Sequence, residues 1–247
     1  MDKMLYISMS TAQQTMRAQA ANSNNLANIN TTGFRADFEQ FKSIPVFGEG
    51  LPSRVYSASE RIATNFEQGT LQSTGRELDI SIQGEGFIAV QGKDGREGYT
   101  RAGDLRVTSA GQLTTGTGLV VLGEGGPIAI PAAEKIEVGA DGTISIRPIG
   151  AAANLLAQIG RIKLVKPDID QIQKDGDGLI RLIDGSKAQP DASVTVASGT
   201  LESSNVSAVG ALVNMISLQR QYEMQIKMMS TAQENSTASA RLLQLGN

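Results

Sequence analysis

The stretch of sequence that decides the fold is residues 206–218, which read VSAVGALVNMISL. On a helix, the large apolar side chains of this stretch fall on almost every side. A helix that is apolar nearly all round must be enclosed on several sides. No proline interrupts the segment 205–245, which predicts a helix roughly 60 Å long, with Asn205 or Ser204 as its N-cap.

Residues 3–28 form a second helical segment, with Asp2 as the predicted N-cap and Gly33 in a left-handed position after its end. Its apolar spacing predicts a heptad seam of Leu5, Met9, Ala12, Met16, Gln19, Ser23 and Leu26. Because two helices cannot enclose residues 206–218, we expect the missing partners to be other subunits. The alternative is docking of both helices onto the rest of the same chain.

Four asparagines, Asn22, Asn24, Asn25 and Asn28, lie close together near the end of the first helix. Asparagine is a poor helix former because its amide competes for backbone hydrogen bonds. One interpretation is a frayed helix end with its amides in water. The other is a set of amides that share hydrogen bonds when many copies pack together.

The middle of the chain changes to a period of two after Glu77 and carries the turn pairs Asp94-Gly95, Asp141-Gly142 and Asp177-Gly178. The predicted strands are 78–82, 87–90, 97–101, 104–108, 111–114, 118–122, 135–138, 143–147, 159–165, 178–183 and 193–197. Many short strands with regular turns predict an antiparallel sandwich or open barrel.

Residues 34–75 show no sustained period and are broken by Pro45 and Pro52. A long structureless loop is unusual in a compact domain, so we expect an extended arm that runs along a neighbour. Phe34, Phe38 and Phe41 have helical spacing and would allow one short helical turn. A disordered linker is the alternative, but the segment is too aromatic for that class.

Composition excludes most catalytic chemistry. The chain has no cysteine and no histidine, which removes disulfides, thiolate or imidazole metal sites, and Ser-His-Asp or Cys-His catalysis. With 22 basic and 25 acidic residues and 4% aromatics, nothing favours nucleic-acid binding. We therefore expect no enzyme activity, no catalytic residues, no metal and no cofactor.

Targeting signals are also missing from the pattern. No apolar run approaches the roughly 18 residues that a membrane helix needs, so we expect no direct membrane insertion. The first six residues lack the continuous apolar core of a secretory signal peptide. Export by a route that reads other signals remains open.

Two short motifs imitate ligand-binding loops. Gly84-Glu85-Gly86 has neither the third glycine nor the following helix of a phosphate-binding loop. The stretch 174–178, KDGDG, lacks the closing glutamate and helical flanks of a calcium loop. We interpret both as turns, the second as the tip of a hairpin.

Four stretches of the sequence form a set of motifs in a fixed order along the chain. The first is Asn24–Asn28 followed by Thr32-Gly33-Phe34; the second is residues 78–87, LDISIQGEGF. The third is residues 99–103, YTRAG. The fourth begins at residues 199–206, GTLESSNV, and continues with Met215-Ile216 and residues 219–223, QRQYE. Together these four stretches cover essentially the whole chain, and in this order they resemble the bacterial flagellar rod and hook family.

The resemblance implies an α+β fold with three parts. The terminal helices, residues 1–33 and 204–247, would form a coiled-coil inner, axial domain. An antiparallel β-rich outer domain, 76–203, would be joined to it by an extended connector, 34–75.

The implied function is a structural subunit of the flagellar basal-body rod that polymerises axially and transmits torque. Its partners would be copies of itself, other rod proteins and the flagellar type III export apparatus. Its place would be the periplasm-spanning rod, reached without a cleavable signal peptide. The length and the Glu49–Pro52 stretch favour a proximal over a distal rod protein, and the hook protein is much larger. The alternatives are a distal rod subunit or, from another class, a β-domain protein that binds carbohydrate or peptidoglycan.

We expect the subunit interface to lie on the apolar and amide positions of the two helices. The predicted interface residues are Leu5, Met9, Met16, Asn25, Leu26, Asn28, Val209, Leu212, Ile216, Tyr222, Ile226 and Met229.

Overall fold

The computed structural model describes residues 3–45, 55–150 and 156–245. The predicted cap Asp2 and the Glu49–Pro52 stretch lie outside these ranges. The chain has helices at both ends and a β-rich middle, so the α+β class is confirmed. It divides into two compact units: the helical unit, residues 1–29, 36–65 and 206–247, and the β unit, residues 30–35 and 66–205.

The helical unit contains α1, Lys3–Ala27, and α2, Ala208–Leu245, which pack against each other. The backbone N–H of Gly210 donates to Ser207 Oγ at 3.2 Å, so Ser207 is the N-cap of α2. The predicted caps Asn205 and Ser204 are wrong by two or three residues, since the helix begins only at Ala208. Among the described residues, neither helix has an apolar stretch long enough to cross a membrane.

The helical unit also holds an antiparallel ribbon of β1, Asp37–Pro45, and β2, Val55–Thr64. The helical turn predicted from Phe34, Phe38 and Phe41 is therefore wrong, because the last two lie in β1. The pairing of β1 with β2 has a register shift between Gln40 and Phe41. The ribbon occupies part of the predicted connector and contacts α1.

The β unit contains the remaining strands of the described chain. They are β3 Leu71–Ser73, β4 Ile80–Gln83, β5 Phe87–Gln91, β6 Glu97–Thr100, β7 Leu105–Val107, β8 Leu113–Thr115, β9 Val120–Gly123, β10 Gly126–Pro127, β11 Ala133–Val138, β12 Thr143–Pro148, β13 Ala157–Arg161, β14 Leu164–Val165, β15 Ile172–Lys174, β16 Ile180–Leu182, β17 Thr195–Ser198 and β18 Thr200–Glu202. A short 3₁₀ turn, Ile169–Gln171, precedes β15.

All the described strand pairs are antiparallel. The largest sheet has the order β15-β16-β6-β5-β9-β8-β7, with β10 on β9 and β14 on β5. A second sheet is β11-β12-β13, and two further pairs are β17-β4 and β18-β3. The alternating apolar residues fill a core whose fully buried members include Ile80, Ile88, Leu105 and Ile144.

The three predicted Asp-Gly turns are confirmed. They connect β5 to β6, β11 to β12 and β15 to β16, and their glycines have φ values of +80°, +81° and +82°. At the 174–178 tip, Asp175 and Asp177 bind Arg181 at 2.8 and 2.6 Å. These carboxylates are thus held by a guanidinium, as expected of a hairpin tip rather than a calcium loop.

Candidate assembly surface on the terminal helices

An uncovered apolar stripe runs along the first part of α2. Val209, Leu212, Val213 and Ile216 follow the spacing i, i+3, i+4, i+7, which places them on one helical face. Each of these side chains is about half exposed or more, with Val209 at 72% and Ile216 at 55%. Single exposed apolar residues are normal, but four on one face form a contiguous patch. Three of the predicted interface residues thus lie on a surface that the described chain leaves open.

The opposite side of α2 is the covered one. Its covered residues alternate in steps of four and three: Ala211, Met215, Leu218, Tyr222, Gln225, Met229 and Ala232. Ala211 and Ala232 are buried and the others are intermediate. The predicted interface residues Tyr222 and Met229 belong to this side, whereas Ile226 is 44% exposed. A subunit contact at these three positions stays a prediction.

The first helix buries small and polar side chains and exposes Met9 and Met16. The buried residues of α1 are Ser8, Ala12, Gln14, Thr15, Asn22 and Asn25. Met9 and Met16 are more than half exposed, and Leu5 and Leu26 are intermediate. The buried positions mostly fall one residue before the predicted seam, because small side chains allow close backbone approach there. The predicted apolar residues are left available for other contacts.

The asparagine cluster is used within the chain. The Asn22 side chain donates to the carbonyl of Ala211 in α2 at 2.8 Å. Asn25 donates to the carbonyl of Asp37 at 2.6 Å and accepts from its N–H at 2.8 Å, which ties α1 to the start of β1. Asn28 donates to the Asn24 carbonyl at 2.9 Å. These asparagines therefore form hydrogen bonds within the chain, which neither of the two interpretations from the sequence included. An intersubunit role for Asn25 and Asn28 stays a prediction.

The charged groups of the helical unit offer little chemistry. Burial raises the pKa of Glu39 on β1, and the positive charge of Arg17 on α1 opposes that shift. Within the described ranges, no group of three or more acidic residues could hold a metal ion. The features that distinguish this surface are its uncovered apolar faces.

Family models match three parts of the chain. Residues 5–35 match "Flagella basal body rod protein", and residues 81–146 match "Flagellar hook protein FlgE/F/G D1 domain". Residues 197–242 match "Flagellar basal body rod FlgEFG protein C-terminal". The first and third models cover most of α1 and α2, and the second covers much of the β unit.

Whole-length relatives agree with these matches. The chain is 41% identical to the flagellar basal-body rod protein FlgF of Escherichia coli, over 99% of this chain and 100% of the relative. It is 36% identical to FlgF of Caulobacter vibrioides over 98% of both, and 34% identical to FlgG of Bacillus subtilis over 85% and 88%. The chain is a structural protein of the flagellar basal body, not an enzyme. It belongs to the flagellar basal-body rod protein family.

Proposed function

We propose that this subunit takes a proximal position in the rod, where it joins copies of itself and other rod proteins through the uncovered faces of α1 and α2. The observation that carries the proposal is the Val209–Ile216 stripe. A stripe of this kind is stable in water only when a neighbour covers it. The rod supplies such neighbours because it is built from many related subunits.

The mechanism we propose is assembly coupled to helix ordering. In the free subunit the ends of the helices are loosely formed, since their apolar faces lack partners. In the rod they enter a coiled-coil inner domain with neighbouring helices. Burying one large apolar side chain contributes roughly 1.5–3 kcal/mol, so several together offset the ordering entropy. Interlocked helices make the shaft stiff enough to transmit torque.

The other parts of the chain have supporting roles in this proposal. The β unit forms the outer domain, and residues 34–75 form the connector, with the β1–β2 ribbon contacting α1. The subunit reaches the periplasm-spanning rod through the flagellar type III export apparatus. We favour the proximal over the distal position because the FlgF relatives of Escherichia coli and Caulobacter vibrioides are 41% and 36% identical to this chain, whereas FlgG of Bacillus subtilis is 34% identical.

Site-specific cross-linking tests the assembly surface directly. The chain contains no cysteine, so Leu212→Cys introduces a unique thiol on the apolar stripe. Basal bodies purified from cells that carry this variant are treated with a short bis-maleimide or an oxidant. We expect higher-mass species that contain this subunit and disappear when the basal bodies are dissociated before treatment.

The matched control is Asn214→Cys, two residues away on the same helix and also exposed. Successive helical residues are about 100° apart, so position 214 points away from the stripe. Equal cross-linking at 212 and 214, or none at 212, would contradict the proposal. Hydrogen exchange on the purified subunit tests the ordering step: the stripe should exchange quickly in solution and slowly in basal bodies.

A further inference from the structure

Three charged side chains lie together in the interior of the β unit. Arg35 and Arg101 both bind Glu202, at 2.6 Å to Oε1 and 2.8 Å to Oε2, and each side chain is at most 3% exposed. Taking several charges out of water is costly unless they are closely paired. The three segments that carry them must therefore stay together whenever the β unit is folded.

The cluster is surrounded by backbone hydrogen bonds between distant parts of the β unit. Glu202 accepts from the Gly33 N–H at its carbonyl, 2.8 Å, and from the Gly69 N–H at Oε1, 2.9 Å. Arg101 donates to the carbonyl of Gly84 at 2.6 Å. Segments 30–35, 66–69 and 202–205 are those through which the chain leaves the β unit. All four family signatures contribute a residue here, which gives those stretches a shared physical role.

The segment 30–35 is held by a second set of contacts. Lys174 donates to the carbonyl of Arg35 at 2.8 Å, and its ammonium lies 4.0 Å from the centre of the Phe34 ring. Gly33 has φ of +66°, and a Cβ built there would lie 2.3 Å from the carbonyl carbon of Arg101. The segment thus fits closely against the β unit at each of these positions.

Arg35 gives this cluster a positive charge that is only partly compensated. Two arginines share one carboxylate, and Nε and Nη1 of Arg35 have no hydrogen-bond partner among the described residues. Burial lowers the pKa of Arg35, and the negative charge of Glu202 opposes that shift. Removing Arg35 would leave a neutral, one-to-one pair of Arg101 and Glu202.

We propose that Arg35 is a positioning residue: with Glu202 it anchors segment 30–35 in the β unit. The segment is then already folded in the free subunit, and the boundary between early-folding and late-folding parts lies between residues 29 and 30. The anchoring itself concerns the β unit alone, whereas the position of the boundary rests on the late ordering of the helices in the proposed function. With segment 30–35 anchored in this way, the terminal helices can order late while the segments that leave the β unit stay fixed.

The test is hydrogen exchange measured by mass spectrometry on the full-length purified chain, comparing wild type with Arg35→Met. In wild type we expect residues 30–35 to be protected together with the β unit. In Arg35→Met we expect exchange over 30–35 to accelerate by about tenfold or more while strands β4 to β9 keep their protection. Lys174→Met, which removes only the second set of contacts, should accelerate the same segment less.

The matched control is Arg96→Met, because Arg96 is an exposed arginine with carboxylate partners on a hairpin of the same unit. It should leave exchange over 30–35 unchanged. Three results would overturn the inference. They are an unprotected 30–35 segment in wild type, unchanged exchange in Arg35→Met, and loss of protection across the whole β unit in that variant. The last would make Arg35 an ordinary element of core stability.

Discussion

Replacing Ile216 by aspartate separates assembly from folding. Ile216 is 55% exposed in the described chain, so about half of its apolar surface remains to be covered by a neighbour. Full burial of such a side chain contributes roughly 1.5–3 kcal/mol, so the lost contact is worth about 1 kcal/mol. An aspartate forced into the same contact also costs several kcal/mol in desolvation. Incorporation should therefore become less favourable by about 4 kcal/mol, or roughly 10³-fold.

The same change should hardly affect the free subunit. Substitutions at exposed positions usually alter the free energy of unfolding by no more than about 0.5 kcal/mol. For a chain of this length that corresponds to a shift of roughly 1–2 °C in melting temperature. Isoleucine and aspartate also differ little in helix propensity.

The assay has two arms. Swimming in soft agar and immunoblots of purified basal bodies report incorporation in a strain that lacks the native gene. Calorimetry on the purified chain reports folding. Asn214→Asp is the matched control, since it adds the same charge at an exposed position away from the stripe. Normal incorporation of Ile216→Asp, or a drop of several degrees in its melting temperature, would refute the reasoning.

Three further predictions concern folding. Gly33→Ala should lower the free energy of unfolding of the β unit by at least about 2 kcal/mol, because alanine is strained at this left-handed φ and its Cβ would clash with the Arg101 backbone. Gly75→Ala is the control: Gly75 has φ of +71° but open space around it, so this change should cost only about 1 kcal/mol. Tyr99 is buried, and burial raises the pKa of its phenol to about 12. Folding therefore favours the protonated phenol. In urea titrations the free energy of unfolding should be highest below pH 10 and should fall by about 2–3 kcal/mol as the pH rises to 12. Tyr99→Phe should weaken this pH dependence. Ser207→Ala should weaken the start of α2 by about 1 kcal/mol, seen as a smaller helical circular dichroism signal from the free chain, in which we propose that this helix end is loosely formed.

The sequence predicts well the elements whose pattern is local. The strands around Ile80 and Ile144 alternate apolar and polar residues, and the strand around Ile88 is a continuous apolar run. Each Asp-Gly pair ends within two residues of the following strand. Both helices have long, proline-free periodic segments, so their type and approximate ends follow directly. The residues within each of these segments determine its structure, and contacts with distant residues do not change it.

The elements that sequence reasoning missed depend on distant partners. β3 is three residues long and pairs with β18, about 130 residues away, so neither strand has a recognisable pattern of its own. The start of the β1–β2 ribbon also depends on a contact outside its own sequence, since Asn25 of α1 binds the backbone of Asp37. The Arg35–Glu202–Arg101 cluster joins three segments in the same way. Each charge alone looks like an ordinary surface residue; only the fold brings them together.

The choice of which face of α1 is buried shows a further limit of prediction from sequence. Two neighbouring faces of this helix have heptad spacing, one with Met9 and Met16 and one with Ser8 and Thr15, and Ala12 lies on both. Hydrophobicity favours the first, but the structure buries the second, because small side chains and amides allow close approach and hydrogen bonds to backbone. On α1 small residues serve the internal packing, and Met9 and Met16 stay more than half exposed. On α2 the covered side includes the large side chains of Met215, Leu218 and Tyr222, yet the Val209–Ile216 stripe is uncovered. A contact between subunits at these uncovered faces stays a prediction.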